Sequence, residues 1–276
     1  MGKKALCVGI NNFKNYASAA LNGCVNDSED MKDVLKTFLG FTDADIITLT
    51  DEKATKANIM ENLNAMVDGA GEGKYDFLVF SFSSHGTQVP DLSGDEPDSA
   101  DEAFCPHDLA EKGGKWDPDH IITDDELHDL FVKLPENVLL EVFLDTCHSG
   151  TGLKAIDFLL NRKPRFLPPP SLEAFKEIEG RQSRGLARSL LGERIVHHIL
   201  WTGCRSDQTS ADARIGGTWH GAFTYFLCKE IRDNRNQLVR KDLIEKIRED
   251  LKNGQYTQIP QLECEATVRK SVPTSD

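Results

Sequence analysis

Hydrophobic positions along this chain follow two alternating rhythms. Compact apolar runs at Lys4–Ile10, Ile46–Leu49, Phe77–Phe82, Val138–Leu144 and Val196–Trp201 have the length and composition of strands. The run at 77–82 is nearly continuous in apolar residues, as expected when both faces of a strand are covered. Between these runs lie stripes at helical spacing. Met31, Val34, Leu35, Phe38 and Leu39 share one face, with Asp27 or Ser28 as the cap and Gly40 as the stop. Thr55 opens a second helix carrying Ile59, Leu63, Met66 and Val67, which ends in the glycines of 69–73. A short helix is predicted over Asp124–Lys133, two more over Ala222–Ile231 and Leu243–Leu251, and a last extended piece over Ile259–Val268.

Strand and helix in alternation predict an α/β fold with a mainly parallel central sheet and helices on both faces. No repeat is visible, and the 276 residues suffice for one large domain spanning 1–276. Two segments break the rhythm: an acidic loop over 91–126, and an unpatterned linker or insertion over 152–194 containing Pro168-Pro169-Pro170.

Charge narrows the function. A net charge of -13 repels polyphosphate and argues against nucleic acid as a partner. No stretch approaches the ~20 apolar residues of a membrane span, and the apolar run after Lys3-Lys4 is too short for a signal peptide. The seven cysteines are scattered, odd in number and without a CxxC pair, which suits reduced thiols in a cytoplasmic protein. Cys7, Cys24, Cys204, Cys228 and Cys264 read as packing residues.

Cys147 differs. The strand before it stops on a carboxylate and continues Asp145-Thr146-Cys147-His148-Ser149-Gly150. The run at 77–82 likewise ends on Ser83-Ser84-His85-Gly86. In an open parallel sheet, chemistry gathers at the carboxyl ends of the strands. Neighbouring strands are ~4.8 Å apart, so side chains just past two adjacent strand ends face each other. A free thiol with a pKa of ~8.5 needs a base beside it, and an imidazole serves. Cys147 is therefore the candidate nucleophile and His85 the candidate base, although they lie 62 positions apart. His148 points elsewhere as a sequence neighbour and reads as a wall of the cleft. The backbone N–H groups of Gly86 and Cys147 are placed to receive an oxyanion.

At these residues the sequence resembles the metacaspases and orthocaspases, caspase-fold cysteine peptidases. "KALCVGINNF", "LNGCVNDSEDM", "FSFSSHGTQ", "GDEPDSADEAFCPHD", "ITDDEL", "FLDTCHSG" and "TGCRSDQTSAD" stand in the family's order. The resemblance implies a caspase-like three-layer sandwich and a Cys147–His85 dyad that cleaves peptide bonds through an acyl-enzyme. It implies cleavage after Arg or Lys, with Asp27, Asp145 and Ser83 at the positions of the acidic specificity pocket. It implies a monomer whose partners are peptide or protein substrates. Physical chemistry agrees on the pocket, because a buried cation requires carboxylate partners. Asp27 has the competing reading of a helix N-cap.

The acidic loop carries thirteen Asp or Glu against Lys112 and Lys115. No cofactor is required on this reading, but many metacaspases are activated by calcium, and Asp101, Asp124 and Asp125 match part of that site. Lys154 stands where the family places a further Asp, and its charge opposes calcium. His107 and His120 in this loop read as surface residues. The segment 162–194 holds eight basic residues against four glutamates, which suits self-processing after Arg181, Arg184 or Arg188. Trp201, Trp219, Asp207 and Asp212 lie in segments expected near the cleft. Two other classes compete: an inactive caspase-fold interaction module, disfavoured because both Cys147 and His85 are present, and a metal-dependent hydrolase, disfavoured because no zinc-ligand spacing occurs.

Overall fold

A computed structural model of the chain describes residues 2–90, 100–148, 160–178, 190 and 198–273. Among the described residues the central sheet has six strands. β1 (Lys3–Gly9), β2 (Ile46–Thr50) and β3 (Phe77–Ser83) come from the first third of the chain. After β3 come the short strands β4 (Gly86–Pro90), β5 (Ala100–Phe104), β6 (Glu111–Lys112), β7 (Lys115–Trp116) and β8 (Ile122–Thr123), and then β9 (Leu139–Asp145) returns to the central sheet. β10 (Lys163–Pro164), β11 (His198–Thr202), β12 (Ala211–Ile215), β13 (Thr218–Gly221) and β14 (Gln261–Glu263) complete the set. The order across the sheet is β14-β11-β9-β3-β1-β2. Every pairing in it is parallel except that of the edge strand β14 with β11.

Six helices are described: α1 (Cys24–Phe38), α2 (Lys56–Gly71), α3 (Asp124–Phe131), α4 (Leu172–Ile178), α5 (Ala222–Asp233) and α6 (Arg240–Asn253). Alternation along each buried strand sends side chains to two cores. Leu6, Val8, Leu78, Phe80, Phe82 and Val142 pack against α2 and α3. Ala5, Cys7, Phe77, Val79, Phe143 and Trp201 pack against α1, α5 and α6. Residues on both faces of one strand are thus removed from water, each large apolar side chain contributing about 1.5–3 kcal/mol. This is the expected α/β sandwich, caspase-like in its mainly parallel sheet.

Four expectations need correction. The helix expected to start at Asp27 or Ser28 begins at Cys24 with Gly23 as its cap residue. Gly23 offers no side-chain acceptor, so the free amides are met from a distance: Asn11 Oδ1 accepts from Cys24 N at 2.8 Å and Asp212 Oδ1 from Gly23 N at 2.9 Å. The acidic segment is no continuous loop. From residue 100 on it forms β5 and β8, which pair into a small antiparallel sheet with β4, plus the β6–β7 hairpin. His107 is buried and its Nδ1 lies 2.7 Å from Asn12 O, whereas His120 stays partly exposed beside Asp108. The linker segment, where described, supplies β10 and α4.

Trp201 is a core residue, stacked on Phe143 at 5.9 Å and donating to Glu141 Oε1 at 2.8 Å. Glu141 sits in the middle of β9 and also accepts two hydrogen bonds from Arg240, both at 2.9 Å. Both charged side chains are almost wholly buried. Glu141→Ala therefore leaves an uncompensated guanidinium inside the protein and lowers stability by about 3–5 kcal/mol. Urea unfolding followed by tryptophan fluorescence checks this, and a change below 1 kcal/mol would contradict it.

Candidate active site

β3 ends at Ser83 and β9 at Asp145, and these two residues are register partners. Each strand then runs two residues further, to His85 and Cys147. The main chains after the strands touch: a Cβ on Gly86 would lie 2.1 Å from Cys147 O. Only glycine permits that approach.

His85 is 5% exposed. Its Nε2 lies 2.7 Å from Ala19 O, and since a carbonyl only accepts, Nε2 carries the hydrogen. The lone pair of the neutral ring is then on Nδ1, which is buried without a hydrogen-bond partner. Burial pulls the imidazole down to about 4; the Ala19 carbonyl opposes the shift, and the charge of Arg165 adds to it. The ring is thus neutral near pH 7, with its basic nitrogen unengaged.

Cys147 is fully buried, its Sγ in contact with Ser210 N, 3.6 Å from Ser210 O and 3.7 Å from Cys204 Sγ. Cys204 is thereby a neighbour of the candidate nucleophile rather than a remote packing residue. His148 points away under β4, with Nδ1 3.3 Å from Thr87 O and its ring edge-on to Phe104.

The feature that organises the site is a residue that the sequence shows only as one of the eight basic residues of 162–194. Arg165 has no solvent exposure. Its Nη2 donates to Asp27 Oδ2 at 2.7 Å and to Asp212 Oδ1 at 3.2 Å. Its Nη1 donates to the Asp145 carbonyl at 3.1 Å and lies 3.4 Å from Asp145 Oδ2. Burial alone would disfavour the charge, but Asp145, Asp27 and Asp212 outweigh it and raise the guanidinium further above its ordinary value. The main chain of Arg165 is gripped as firmly. Its carbonyl accepts from Gly86 N at 2.9 Å and Cys147 N at 3.1 Å, and its own N–H donates to Ser210 O at 3.0 Å. β10, just before it, pairs antiparallel with β12, and Leu167 N donates to Gly86 O at 2.9 Å. The segment is held as an added strand.

The carboxylates are themselves anchored by helix starts. Asp145 Oδ2 accepts from Thr224 N at 3.0 Å and Thr224 Oγ1 at 2.8 Å in the first turn of α5, and Asp145 Oδ1 accepts from Ser210 Oγ. Asp212 accepts from Asn22 N and Gly23 N, both at 2.9 Å, before α1. Asp27, in the first turn of α1, accepts from Gly221 N at 2.9 Å. Helix N-termini favour anions, so two helix ends face one pocket. Gly221 forms its wall: a Cβ there would lie 2.2 Å from Asp145 Oδ2 and 2.4 Å from Arg165 Nη1. Burial nevertheless pushes the Asp27 carboxyl up to about 6, with the charge of Arg165 pulling the other way.

The structure thus brings together His85, Gly86, Cys147, Asp27 and Asp145. Ser83 is buried beside Asp145 in register, while the guanidinium's partners are Asp27, Asp145 and Asp212. The N-cap reading of Asp27 fails, since it lies inside α1 and aims at the pocket. Asp212 was left without a role by sequence reasoning; its place in the polar stretch Thr209-Ser210-Ala211-Asp212 was the available signal. Arg165 carried no signal beyond its charge.

The carboxylates expected for calcium lie on two elements. Asp101 is on β5, and Asp124 and Asp125 open α3, where Asp124 Oδ1 accepts from Asp125 N at 3.2 Å. Among the described residues no group of three or more His, Cys, Asp or Glu is placed to hold a metal ion. Lys154, Arg181, Arg184 and Arg188 lie outside the described residues. Among the described residues no helix is long and apolar enough to cross a membrane.

A parallel sheet that ends in a thiol and an imidazole, with two amides converging on one carbonyl, is the architecture of a caspase-like cysteine peptidase. The caspase domain family matches residues 2–271, and the chain belongs to that family. It is 34% identical to metacaspase-1A of Aspergillus niger over 95% of this chain and 70% of that one. It is 33% identical to metacaspase-1 of Pyricularia oryzae over 95% and 71%. With metacaspase-1 of Cryptococcus neoformans it shares 32% identity over 94% of this chain but only 62% of the relative. The fold is similar to a crystal structure from Geobacter sulfurreducens, with a TM-score of 0.67, 24% identity and coverage of 99% and 98%. It is also similar to caspase-1 of Spodoptera frugiperda, with a TM-score of 0.56, 13% identity and coverage of 95% and 86%.

The buried, neutral His85 makes a measurable demand on stability. Its folded pKa is below its unfolded value of 6.5, so its contribution is present above 6.5 and is lost as pH falls toward about 4. In a Cys147→Ala background, His85→Ala should therefore gain about 2 kcal/mol relative to the His85 protein between pH 7 and pH 5. Urea unfolding at the two pH values measures the difference. Parallel pH profiles would mean that the ring is not buried neutral.

Proposed function

We propose that this protein is a cysteine endopeptidase that cuts after Arg or Lys, and that its first substrate is its own Arg165–Phe166 bond. One observation carries the reading: the Arg165 carbonyl accepts from both Gly86 N and Cys147 N while its side chain fills a pocket of three carboxylates. A carbonyl held by two amides beside a thiol is in the position that acyl transfer requires.

His85 Nδ1 takes the proton of the Cys147 thiol, and the sulfur attacks the carbonyl carbon of the residue in the carboxylate pocket. Negative charge collects on the oxygen, where the Gly86 and Cys147 amides receive it. Collapse breaks the C–N bond, and the departing amine takes the proton from His85. Water then attacks the thioester with His85 as base, releasing a carboxylate that ends in Arg and restoring the thiol. Each proton and charge has a named carrier, so the reading routes no step through a metal.

Specificity follows from the pocket. A carboxylate or apolar side chain in place of Arg165 would leave Asp27, Asp145 and Asp212 buried without a counter-charge, the costliest kind of mismatch. Lys fits as a cation but cannot bridge several carboxylates as a planar guanidinium does. Until the bond is cut or the segment leaves, Arg165 also denies the pocket to other substrates. Seating of Arg165 favours self-cleavage there over Arg181, Arg184 or Arg188. The reading needs only one copy of the chain, acting on peptide or protein substrates.

Mass spectrometry of the full chain after incubation tests the self-cut. Fragments 1–165 and 166–276 are expected from wild type, with an intact mass from Cys147→Ala. Intact chains in both samples, together with no turnover of Arg-ended fluorogenic peptides, would leave the inactive interaction module as the better reading. For such peptides, Asp27→Asn or Asp212→Asn should lower kcat/KM by at least about 10²-fold, since one buried partner of the substrate cation is lost. Equal kcat/KM in wild type and both variants would remove the carboxylate pocket from the account.

A further inference from the structure

The seated segment makes a second cationic contact that peptidase chemistry at Cys147 does not call for. Arg162 lies three residues before Arg165, and β10 carries the chain between them along β12, with Lys163 opposite Asp212 and Pro164 opposite Ala211. This pairing carries Arg162 beyond the carboxylate pocket to the end of α6. There its Nη1 donates to Gln255 O at 2.7 Å and its Nη2 to Gly254 O at 2.8 Å. The guanidinium carbon sits 3.7 Å from the centroid of the Tyr256 ring.

The receptor is built by local backbone. α6 ends at Asn253, so the carbonyls of its last residues and of those just after it lack intrahelical donors. Gly254 N donates back to Asp250 O and Tyr256 N to Leu251 O, which closes the helix end. Gln255 adopts φ 57°, in the left-handed region, and with that turn two consecutive carbonyls face one ligand. The C-terminal end of a helix attracts a cation, and the face of a tyrosine adds to the attraction. The Tyr256 ring is backed by Phe226 at 6.0 Å, which keeps it in place. Lys163, by contrast, is exposed and donates to Ala20 O at 3.1 Å.

We propose that Gly254, Gln255 and Tyr256 form a second specificity subsite, which takes an arginine side chain four positions before the cut, Arg165 being the first. The inference rests on the proposed cleavage after Arg165 and deepens it: the favoured substrates are extended peptides with Arg at both the first and fourth positions before the scissile bond. The subsite discriminates Arg from Lys. Two carbonyls beside an aromatic face, each within reach of a different guanidinium nitrogen, match a flat cation with donors on two nitrogens, and an ammonium reaches them as a point charge only. The contact is remote from the bond broken, so it acts on kcat/KM through binding.

Three fluorogenic peptides test this with the full chain: Arg-Lys-Pro-Arg, Lys-Lys-Pro-Arg and Ala-Lys-Pro-Arg, each ending in the same leaving group. The first should exceed the third about tenfold in kcat/KM and the second should fall between them. In Tyr256→Leu the ratio of the first to the third should collapse to less than threefold. Cleavage of all three at one rate by wild type, or a ratio untouched by Tyr256→Leu, would overturn the subsite and leave the endopeptidase reading standing. Failure to cleave any of them would instead strike at the proposed function itself. Should Tyr256→Leu not fold, Tyr256→Phe gives the complementary result. It keeps the aromatic face, so the preference should persist, and its loss would count against the subsite.

Discussion

The buried cluster of Arg165 with Asp27, Asp145 and Asp212 governs the rest of this structure. Three carboxylates and one guanidinium out of contact with water would be prohibitive if electrostatics stopped there, because the desolvation of each ion costs several kcal/mol. The fold meets that cost with fixed dipoles. Asp212 receives the free amides before α1, Asp145 those of the first turn of α5, and Asp27 the Gly221 amide. The same groups that a helix start leaves unpaired orient the acids toward one point. Pocket and helix caps are therefore one construction, and it explains why neither Gly23 nor Gly221 needs a capping side chain of its own.

The placement of the candidate dyad follows from the sheet. Register pairing of Ser83 with Asp145 fixes the two strand ends level with each other, and equal overhangs of two residues bring out His85 and Cys147. Packing of the main chains beyond the strands, permitted by Gly86, turns two amides onto one carbonyl position. The carbonyl of Ala19 selects the tautomer of His85 from outside the sheet. Acid pocket, amides and imidazole are held by backbone rather than by mobile side chains, the kind of preorganisation that acyl transfer rewards.

Much of this was legible in the residues themselves. The runs at 4–10, 46–49, 77–82 and 138–144 fall within a residue or two of β1, β2, β3 and β9, because a strand covered on both faces must be apolar throughout. The stripe after Thr55 is α2, with Thr55 as its cap. His85 and Cys147 stood out because polar, glycine-flanked residues broke apolar runs at strand ends. Other features were hidden for physical reasons. The start of α1 was misplaced because its caps are Asn11 and Asp212, remote in sequence. The strands of the acidic segment were missed because β5, reading Ala-Asp-Glu-Ala-Phe, buries four of its five residues yet carries two adjacent carboxylates that mask the pattern. Arg165 did not stand out among the basic residues of its stretch because nothing local distinguishes a buried guanidinium from an exposed one.

Local pattern alone determined the α/β class and singled out His85 and Cys147 as candidates, since strand length, helical period and strand-end chemistry are properties of short segments; the demand for a cationic partner at Asp27 and Asp145 came from the family resemblance. Which cation answers that demand was decided only by tertiary structure. The placement of Arg165 beside Asp212, of Arg162 on Tyr256 and of Cys204 on Cys147 depends on contacts between residues 47 to 94 positions apart. No local preference encodes such contacts. They exist because the folded chain closes its own segment into the cleft, where burial and complementary charge outweigh the entropy of ordering it.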